Sequence, residues 1–418
     1  MADCDYKACV PSQDDTGIVL AFIGSVVPDR PEFQNPAFNR AGNMFQENLL
    51  FALSAAGLPP DNILSQPPIQ SFPRSRLIWS SGARLKLANG MQVRVGPFLN
   101  LPVLRPLTVG LAILINLIIW GWRHRNIPHR VVYTFNLTEP PGLFTLIGAR
   151  LVRAKAVASI NDVNIPGETV PRSLSRRVDF WLQKQLMPRF DGLVVVNRRI
   201  IDDFAPQAVF IRMEGGVPEA LLQLAPKSGV KTDAGSAPFT IVATGTLNEA
   251  NGFLDILEAF SLLPSEGYRL RIAGTGPLSQ IIKRAAEGDP RIEYCGYLSF
   301  EQVVALQSTA DVLVNMRLTQ RLNTRYFFPS KTIEYLASGV PVITTCTGHI
   351  EEEYAHIAFL LQDESPLGLA QMIEHVASLD PEIRAQTGRA AMEHVRMHST
   401  WEAQGRRVVE FICSEVVH

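Results

Sequence analysis

Apolar residues along this chain fall into short continuous runs, separated by longer segments in which they recur every three or four positions. The first run, residues 17–24 (GIVLAFIG), has no polar interruption, as a strand covered on both faces requires. Similar runs follow at 131–135 (VVYTF), 156–160 (AVASI), 193–196 (LVVV) and 209–212 (VFIR). After a loop rich in Pro, Asn and Arg, residues 44–57 (MFQENLLFALSAAG) carry helical periodicity and close at Gly57. The alternation predicts α/β architecture with a parallel sheet. At 224–238 (LAPKSGVKTDAGSAP) periodicity stops, and the segment reads as a linker. The pattern then restarts, with strands at 239–245, 269–276, 292–297, 311–315 and 341–345 and helices at 252–262, 300–309 and 330–338. The expected organisation is a tail (1–16), a doubly wound Rossmann-like domain (17–223), the linker, a second such domain (239–398) and an amphipathic C-terminal helix (399–418) able to pack back on the first domain. Two such domains facing each other would form a cleft, with the chemistry at the carboxyl ends of the strands.

One stretch breaks the pattern. Residues 106–122 (PLTVGLAILINLIIWGW) carry no charge and are followed by RHRNIPHR. The run is shorter than the roughly 20 apolar residues of a spanning helix. A buried core helix, a helix resting on a membrane surface and a span are the three readings. The segment 172–190 interleaves basic and apolar residues and reads as a solvated helix, with contact to anionic lipid as the alternative.

Composition narrows the class. The chain has 418 residues, 46% hydrophobic, with a net charge of −1, so it can bury large cores and shows no global basic signature for nucleic acid. Its five cysteines are scattered without a CxxC pair, which argues against a disulfide framework or a thiolate zinc site and suits a reducing cytoplasm. The N-terminal residues lack the basic and apolar regions of a signal peptide. Asp3 and Asp5 imitate an Asp-x-Asp metal motif, but in a tail. His394 and His398 lack a third ligand in sequence and read as a surface pair.

Chemistry concentrates after the strands. ATGTLNEANG (243–252) and AGTGPL (273–278) place Gly245, Gly274 and Gly276 where a ligand can approach backbone and phosphate can meet helix N-termini. In RYFFPSKTIEYLASGVPVITT (325–345), Ser330 suits an N-cap and Gly339 the position after a helix. Ile333, Leu336 and Ala337 form its buried stripe, opposite Lys331, Glu334 and Ser338. Glu334 suits the hydroxyls of a ribose and Lys331 a phosphate; the plain alternative is a surface ion pair. In the first half, Asn136, Asn161 and Asp162 follow strands and Asn43 stands in NRAGNMFQEN (39–48), read as preceding the first long helix; together they form the expected acceptor side. Asp162 is the candidate hydroxyl contact or proton acceptor, and a turn residue otherwise.

The order of GTLNEANGFLDILEAF (245–260), LRIAGTGPL (270–278), IEYCGYLSFEQVVALQSTADVLVNMR (292–317) and the 325–345 stretch resembles the family 4 glycosyltransferases. The branch it looks like is the one acting in exopolysaccharide and cell-surface glycan assembly. The resemblance covers the C-terminal half and implies the GT-B fold, retention of anomeric configuration and no metal cofactor. It implies a nucleotide diphosphate sugar, UDP- or GDP-linked, as co-substrate, and a glycan or lipid-linked acceptor. It places Gly245 and Thr246 under the diphosphate, aligns Asn251 with a phosphate-binding position beside them, and places Gly296, Tyr297 and Leu298 at the base and Glu334 at the ribose; Gly276 and Ser330 join them as candidate donor-site residues. Three departures stand out. Tyr326 occupies the place of a second glutamate eight residues before Glu334, and Thr246 and Asn251 stand where the family carries arginine and lysine. The leaving diphosphate still needs a cation. Lys331 is the first candidate and Arg325 the second, with Arg321 and Arg317 as further local cations. The rival readings are a nucleotide-sugar epimerase or hydrolase and a non-catalytic binding protein of the same fold. Residence is expected in the cytoplasm, with peripheral contact at the inner membrane face left open.

Overall fold

The computed structural model describes residues 17–33, 35–137, 141–167, 170, 173–224, 237–321 and 323–418. The expected tail (1–16) and nearly all of the expected linker lie outside the described residues. The chain divides into two compact units, Met1–Gly215 with Trp401–His418, and Gly216–Thr400.

In the first unit the elements are β1 (Ile18–Gly24), α1 (Arg40–Ala55), β2 (Asn62–Ser65), β3 (Trp79–Ser80), β4 (Ala83–Lys86), β5 (Gln92–Val95), β6 (Phe98–Leu99), α2 (Leu104–Arg123), β7 (His129–Phe135), α3 (Pro141–Leu151), β8 (Lys155–Ile160), α4 (Leu174–Leu186), β9 (Gly192–Val195), α5 (Arg198–Phe204) and β10 (Phe210–Arg212). The sheet order is β10-β9-β8-β7-β1-β2-β5-β4. Within this sheet every pairing is parallel except β4 with β5, while β3 and β6 pair antiparallel in a separate two-stranded sheet. All seven residues of β1 are buried, so its uninterrupted apolar run reflects a central strand. Strand order reverses between β1 and β7, which splays the following loops apart at their carboxyl ends.

The structure corrects the first helix. It begins at Arg40, capped by the Asn39 side chain accepting from Gly42 N–H at 3.0 Å, so residues 40–43 form its first turn rather than preceding it. Strands β2, β4 and β5 were not foreseen; they are only four residues long and carry polar or charged residues.

The second unit comprises α6 (Glu219–Leu224), β11 (Phe239–Thr246), α7 (Phe253–Leu262), β12 (Tyr268–Thr275), α8 (Ser279–Gly288), β13 (Ile292–Gly296), α9 (Phe300–Gln307), β14 (Val312–Asn315), α10 (Lys331–Ala337), β15 (Val342–Thr345), α11 (Ile350–Tyr354), β16 (Phe359–Leu361), α12 (Pro366–Ser378) and α13 (Pro381–His398). Its all-parallel sheet runs β13-β12-β11-β14-β15-β16, reversing between β11 and β14. The core beneath it joins Phe253, Ile256 and Phe260 of α7 to Leu270, Ile272, Val312 and Ile343 of the strands.

The chain closes with α14 (Trp401–Phe411) and one turn of wider helix, Ile412–Val417, both within the first unit. Trp401 meets Phe45 edge to face at 5.0 Å. Gly405 lies so close to α1 that a Cβ there would stand 2.4 Å from the Ala52 carbonyl oxygen. Gly405→Val is therefore expected to push α14 off α1 and cost about 1–3 kcal/mol, read as a lower urea midpoint for the first unit. An unchanged midpoint would mean the two helices are not held by this contact.

Candidate functional site

In the second unit the reversal point is built around Gly245. Its φ is +146°, and nothing lies within 4 Å of where a Cβ would point. The neighbouring glycines have another reason. A Cβ on Gly274 would stand 1.9 Å from Gly245 O, and one on Gly276 2.4 Å from Leu247 O. Gly276, expected at the diphosphate, thus owes its identity to backbone packing between the two turns. The end of β11 is clamped by Tyr335, a residue sequence reasoning missed. Its Oη accepts from Thr244 N–H at 2.7 Å and donates to Thr244 O at 3.1 Å, fully buried. Within the helix a tyrosine reads as one more apolar position, so only the tertiary contact reveals its role.

Asn251 then links the turn to the adjacent strand. Its Nδ2 donates to Thr246 O at 2.7 Å, and its Oδ1 accepts from Arg317 Nη1 at 2.5 Å. Arg317 follows β14, and its backbone is fixed by reciprocal hydrogen bonds with Thr345 Oγ1, both 3.0 Å. Its guanidinium stands 4.6 Å from the Phe327 ring centroid. Burial pushes its pKa below the ordinary value, and its buried Nε has no partner among the described residues. A desolvated, under-compensated cation is what an incoming anion stabilises. Thus Arg317, behind Lys331 and Arg325 in the sequence reading, is a cation linked through Asn251 to the first glycine turn, while Lys331 stands 6.0 Å from the Tyr335 ring that clamps the same strand. Arg321 pairs with Asp255 of α7 at 3.3 Å, and Arg325 stands on an exposed turn 5.9 Å from the Tyr326 ring.

Helix α10 is tied to the same edge by Asn315 Nδ2, which donates to Thr332 Oγ1 at 2.8 Å. Lys331 Nζ and Glu334 Oε2 are 3.0 Å apart on its partly exposed face. Burial works to lower the Lys331 pKa, but the nearby Glu334 carboxylate and Tyr335 outweigh it and hold the ammonium above its usual range. Gly339 closes the helix at φ +72°. Ser330, expected as the N-cap, has helical backbone geometry and makes no capping bond. Ser338 is buried and donates to Tyr335 O at 2.6 Å, off the face assigned to it. At the end of β13, Gly296 has φ +67° with nothing within 4 Å of a Cβ. The next residue, Tyr297, is exposed, as is Phe300, a second aromatic not anticipated, while Leu298 is half-buried.

The first unit has its own cavity, about 520 Å³, at the β1/β7 reversal. Gly24 and Ser25 after β1, Phe135 and Asn136 after β7, and Asn43, Arg105, Asp162 and Arg176 line it. Asn43 is largely occupied: its amide accepts from Val27 N–H at 2.9 Å and donates to Val27 O at 3.0 Å, fixing the loop after β1. Asn136 adopts φ +52°, and its Oδ1 accepts from Asn161 N–H at 2.7 Å. Asn161 in turn accepts from Ser159 Oγ at 2.9 Å, so it serves the turn. Asn136 Nδ2 donates to Asp162 Oδ2 at 3.4 Å. Asp162 is exposed as a residue and lines the cavity. Desolvation of its carboxyl raises its pKa, opposed by the Asn136 bond. Asn197, in the post-strand NRR segment, caps α5 through Arg199 N–H at 2.9 Å.

Two α/β units, each with a sheet whose strand order reverses and with loops parting at that reversal, make a doubly wound, Rossmann-like architecture. Residues 238–378 match the family profile described as "Glycosyl transferases group 1". The fold is that of GT-B glycosyltransferase structures. Sucrose-phosphate synthase from Thermosynechococcus elongatus superposes with a TM-score of 0.63 at 15% identity, covering 94% of this chain and 98% of that one. HepE of Anabaena, solved in complex with UDP, gives 0.63 at 14% identity, covering 95% and 100%. In sequence, the chain is similar to the "Putative colanic acid biosynthesis glycosyltransferase WcaL" of Escherichia coli (strain K12), 27% identical over 169 residues, 39% of this chain and 42% of that protein. The Salmonella typhimurium protein of the same name is 24% identical over 182 residues, 42% and 45%. The chain therefore matches less than half the length of these relatives.

A raised carboxyl pKa makes a signed prediction. The group favours folding while protonated, and that contribution is lost as pH rises through its folded pKa. Asp162→Asn keeps an acceptor for Asn136 and removes the desolvated charge. It is expected to be more stable than the wild type at neutral pH, the gap closing below the ordinary aspartate value of 3.8, as followed by thermal unfolding against pH. A wild type more stable at neutral pH would place Asp162 in a favourable ion pair instead.

Proposed function

We infer that the chain is a glycosyltransferase that moves a sugar from a nucleotide diphosphate donor to a glycan or lipid-linked acceptor in polysaccharide or cell-surface glycan assembly. The observation that carries this reading is the Thr246–Asn251–Arg317 link at the reversal point of the second unit. The family's basic residues are missing at 246 and 251, and Arg317 supplies a guanidinium to the same turn. It can donate in parallel to two phosphate oxygens. The UDP complex of HepE and the matched family segment support a nucleotide donor held by this unit.

In this reading Gly245 lets the diphosphate lie against backbone, Glu334 accepts from the ribose hydroxyls, and Tyr297 flanks the base. Lys331, oriented by Glu334, is the second cation. As the bond from the anomeric carbon to the phosphate oxygen breaks, negative charge builds on the diphosphate, where Arg317 and Lys331 offset it. The acceptor hydroxyl bonds to the anomeric carbon on the face the diphosphate leaves, and its proton passes to a phosphate oxygen. This gives retention without a protein nucleophile and asks for no metal. The cavity holding Asp162 and Arg105 suits the acceptor, which favours transfer over epimerisation. The epimerase alternative predicts turnover without any acceptor.

Calorimetric titration of UDP, GDP and the matching nucleosides tests the assignment. Arg317→Ala is expected to weaken diphosphate binding by roughly 10–100-fold, the loss of a charged hydrogen-bonding group, and to leave nucleoside binding nearly unchanged. Glu334→Ala should weaken both. Wild-type-like diphosphate binding in Arg317→Ala would remove the residue from the site. A wild type that binds no nucleotide would overturn the glycosyltransferase reading and leave a binding protein of the same fold.

A further inference from the structure

Helix α2 has two apolar faces, and only one is used by the fold. The inner face buries Val109, Ile113, Leu117 and Trp120. It meets α3 at separations that only glycine permits: a Cβ on Gly110 would stand 2.2 Å from the Phe144 ring, and one on Gly121 2.3 Å from Val152. Leu117 likewise faces Gly148. These contacts ascend together in both helices, so α2 and α3 run parallel. The outer face carries Leu104, Leu107, Leu111, Ile115, Ile118 and Trp122, one continuous helical stripe, all exposed. Only 28% of the most apolar window of α2 is buried, unlike a core helix. Exposed Ile147 and Leu151 of α3 add to the apolar surface of the pair.

The surrounding charge is mostly basic. Residues 61–162 contain twelve lysines and arginines against three acids, Asp61, Glu139 and Asp162, in a chain that is otherwise net acidic. Because the helices are parallel, Arg123 and Arg125 after α2 lie at the same end as Arg150 and Arg153 of α3. Arg125 stands over the exposed Trp122 ring at 4.9 Å, and of the α3 pair Arg150 meets Asp191 at 3.1 Å. An apolar stripe ended by a tryptophan and bordered by arginines matches the acyl–headgroup boundary of a bilayer. The helix is too engaged to leave the protein and span. Asn116 bonds Asn62 at 2.9 Å, and Trp120 Nε1 and His124 Nε2 both reach Asp61 at 3.0 Å. A second copy seated on this face would bring like charges together.

We propose that the outer face of α2 and α3 seats the first unit on an anionic lipid surface. The apolar stripe enters the acyl boundary, and Arg123, Arg125 and Arg153 meet phosphate headgroups. At its other end the same helix supplies Arg105, Pro106 and Val109 to the cavity of the first unit. This extends the proposed function, whose lipid-linked acceptor would then reach the cavity from the plane of the membrane.

The test is cosedimentation of the full chain with vesicles of phosphatidylcholine alone or mixed with phosphatidylglycerol, without nucleotide or acceptor. It can therefore fail independently of the nucleotide titrations. The wild type should bind the anionic vesicles, release with added salt and leave neutral vesicles largely unbound. Ile115→Glu with Ile118→Glu, and separately Arg123→Glu with Arg125→Glu, should each reduce anionic binding at least about tenfold with thermal unfolding unchanged. All four positions are exposed or at the exposed helix end. Equal binding of both vesicle types, or none, overturns the proposal. So does a stable dimer in sedimentation velocity that the isoleucine variant dissolves.

Discussion

The second unit depends on one constraint: β11 is paired with β12 on one side and with β14 on the other, in parallel with both. Crossovers on either side then leave in opposite directions, and the carboxyl end of β11 becomes a place where loops part rather than pack. What fills the space is chosen residue by residue. On the β12 side, Gly274 and Gly276 let the second turn press against the backbone of the first. On the β14 side, Thr345 holds the backbone of Arg317 and Asn251 holds its guanidinium. Tyr335 pins the strand from below through Thr244. Gly245 is left facing space, with the Arg317 guanidinium held beside its turn through Asn251. The first unit repeats the logic at β1 and β7, where the loops part around the cavity containing Asn136 and Asp162.

Much of this was legible because the strongest signals are long and periodic. Continuous apolar runs located β1, β7, β8, β9 and β11 within a residue or two, since a strand buried on both faces leaves no other pattern. The last helix of the donor-like stretch was found from its stripe and from Gly339. What stayed hidden is short or tertiary. Strand β2 reads NILS, with polar residues at both ends, and β16 is three residues at a sheet edge. Ser330 looked like a cap because residue type favours it, but capping needs an extended backbone that this serine does not have. Tyr335 looked like one more apolar position on a helix. Its function rests on a hydroxyl aimed at a strand 91 residues earlier in the chain, which no local pattern reports.

The same limit explains the cation. An uncharged Asn251 in a position where basic residues are expected reads locally as a loss. In the fold it is a connector: one end of its amide holds the glycine turn and the other holds a guanidinium 66 residues away. Charge at a site can be kept while the residue that carries it moves to a neighbouring strand, provided something fixes the new side chain. Asparagine is suited to this because it donates and accepts at once. A lysine at 251 would bring its own charge but could not accept from Arg317, so the two solutions exclude one another.

In the first unit, three departures from ordinary folding rules fall along one edge. Asn136 occupies a left-handed backbone region that non-glycine residues seldom adopt. Asp162 keeps a carboxyl in a place that disfavours its charge. Helix α2 exposes an apolar stripe that a soluble surface would replace with polar residues. None of these stabilises the fold, whose core is complete without them, and Asn136 and α2 both border the cavity that contains Asp162. Features that oppose folding and persist together are better explained by a shared external contact than by three unrelated accidents. An acceptor whose polar head enters the cavity and whose apolar anchor stays in lipid would satisfy the asparagine-held carboxyl, the cavity arginines and the α2 stripe at once. A wholly soluble glycan would account for the cavity and leave the stripe unexplained.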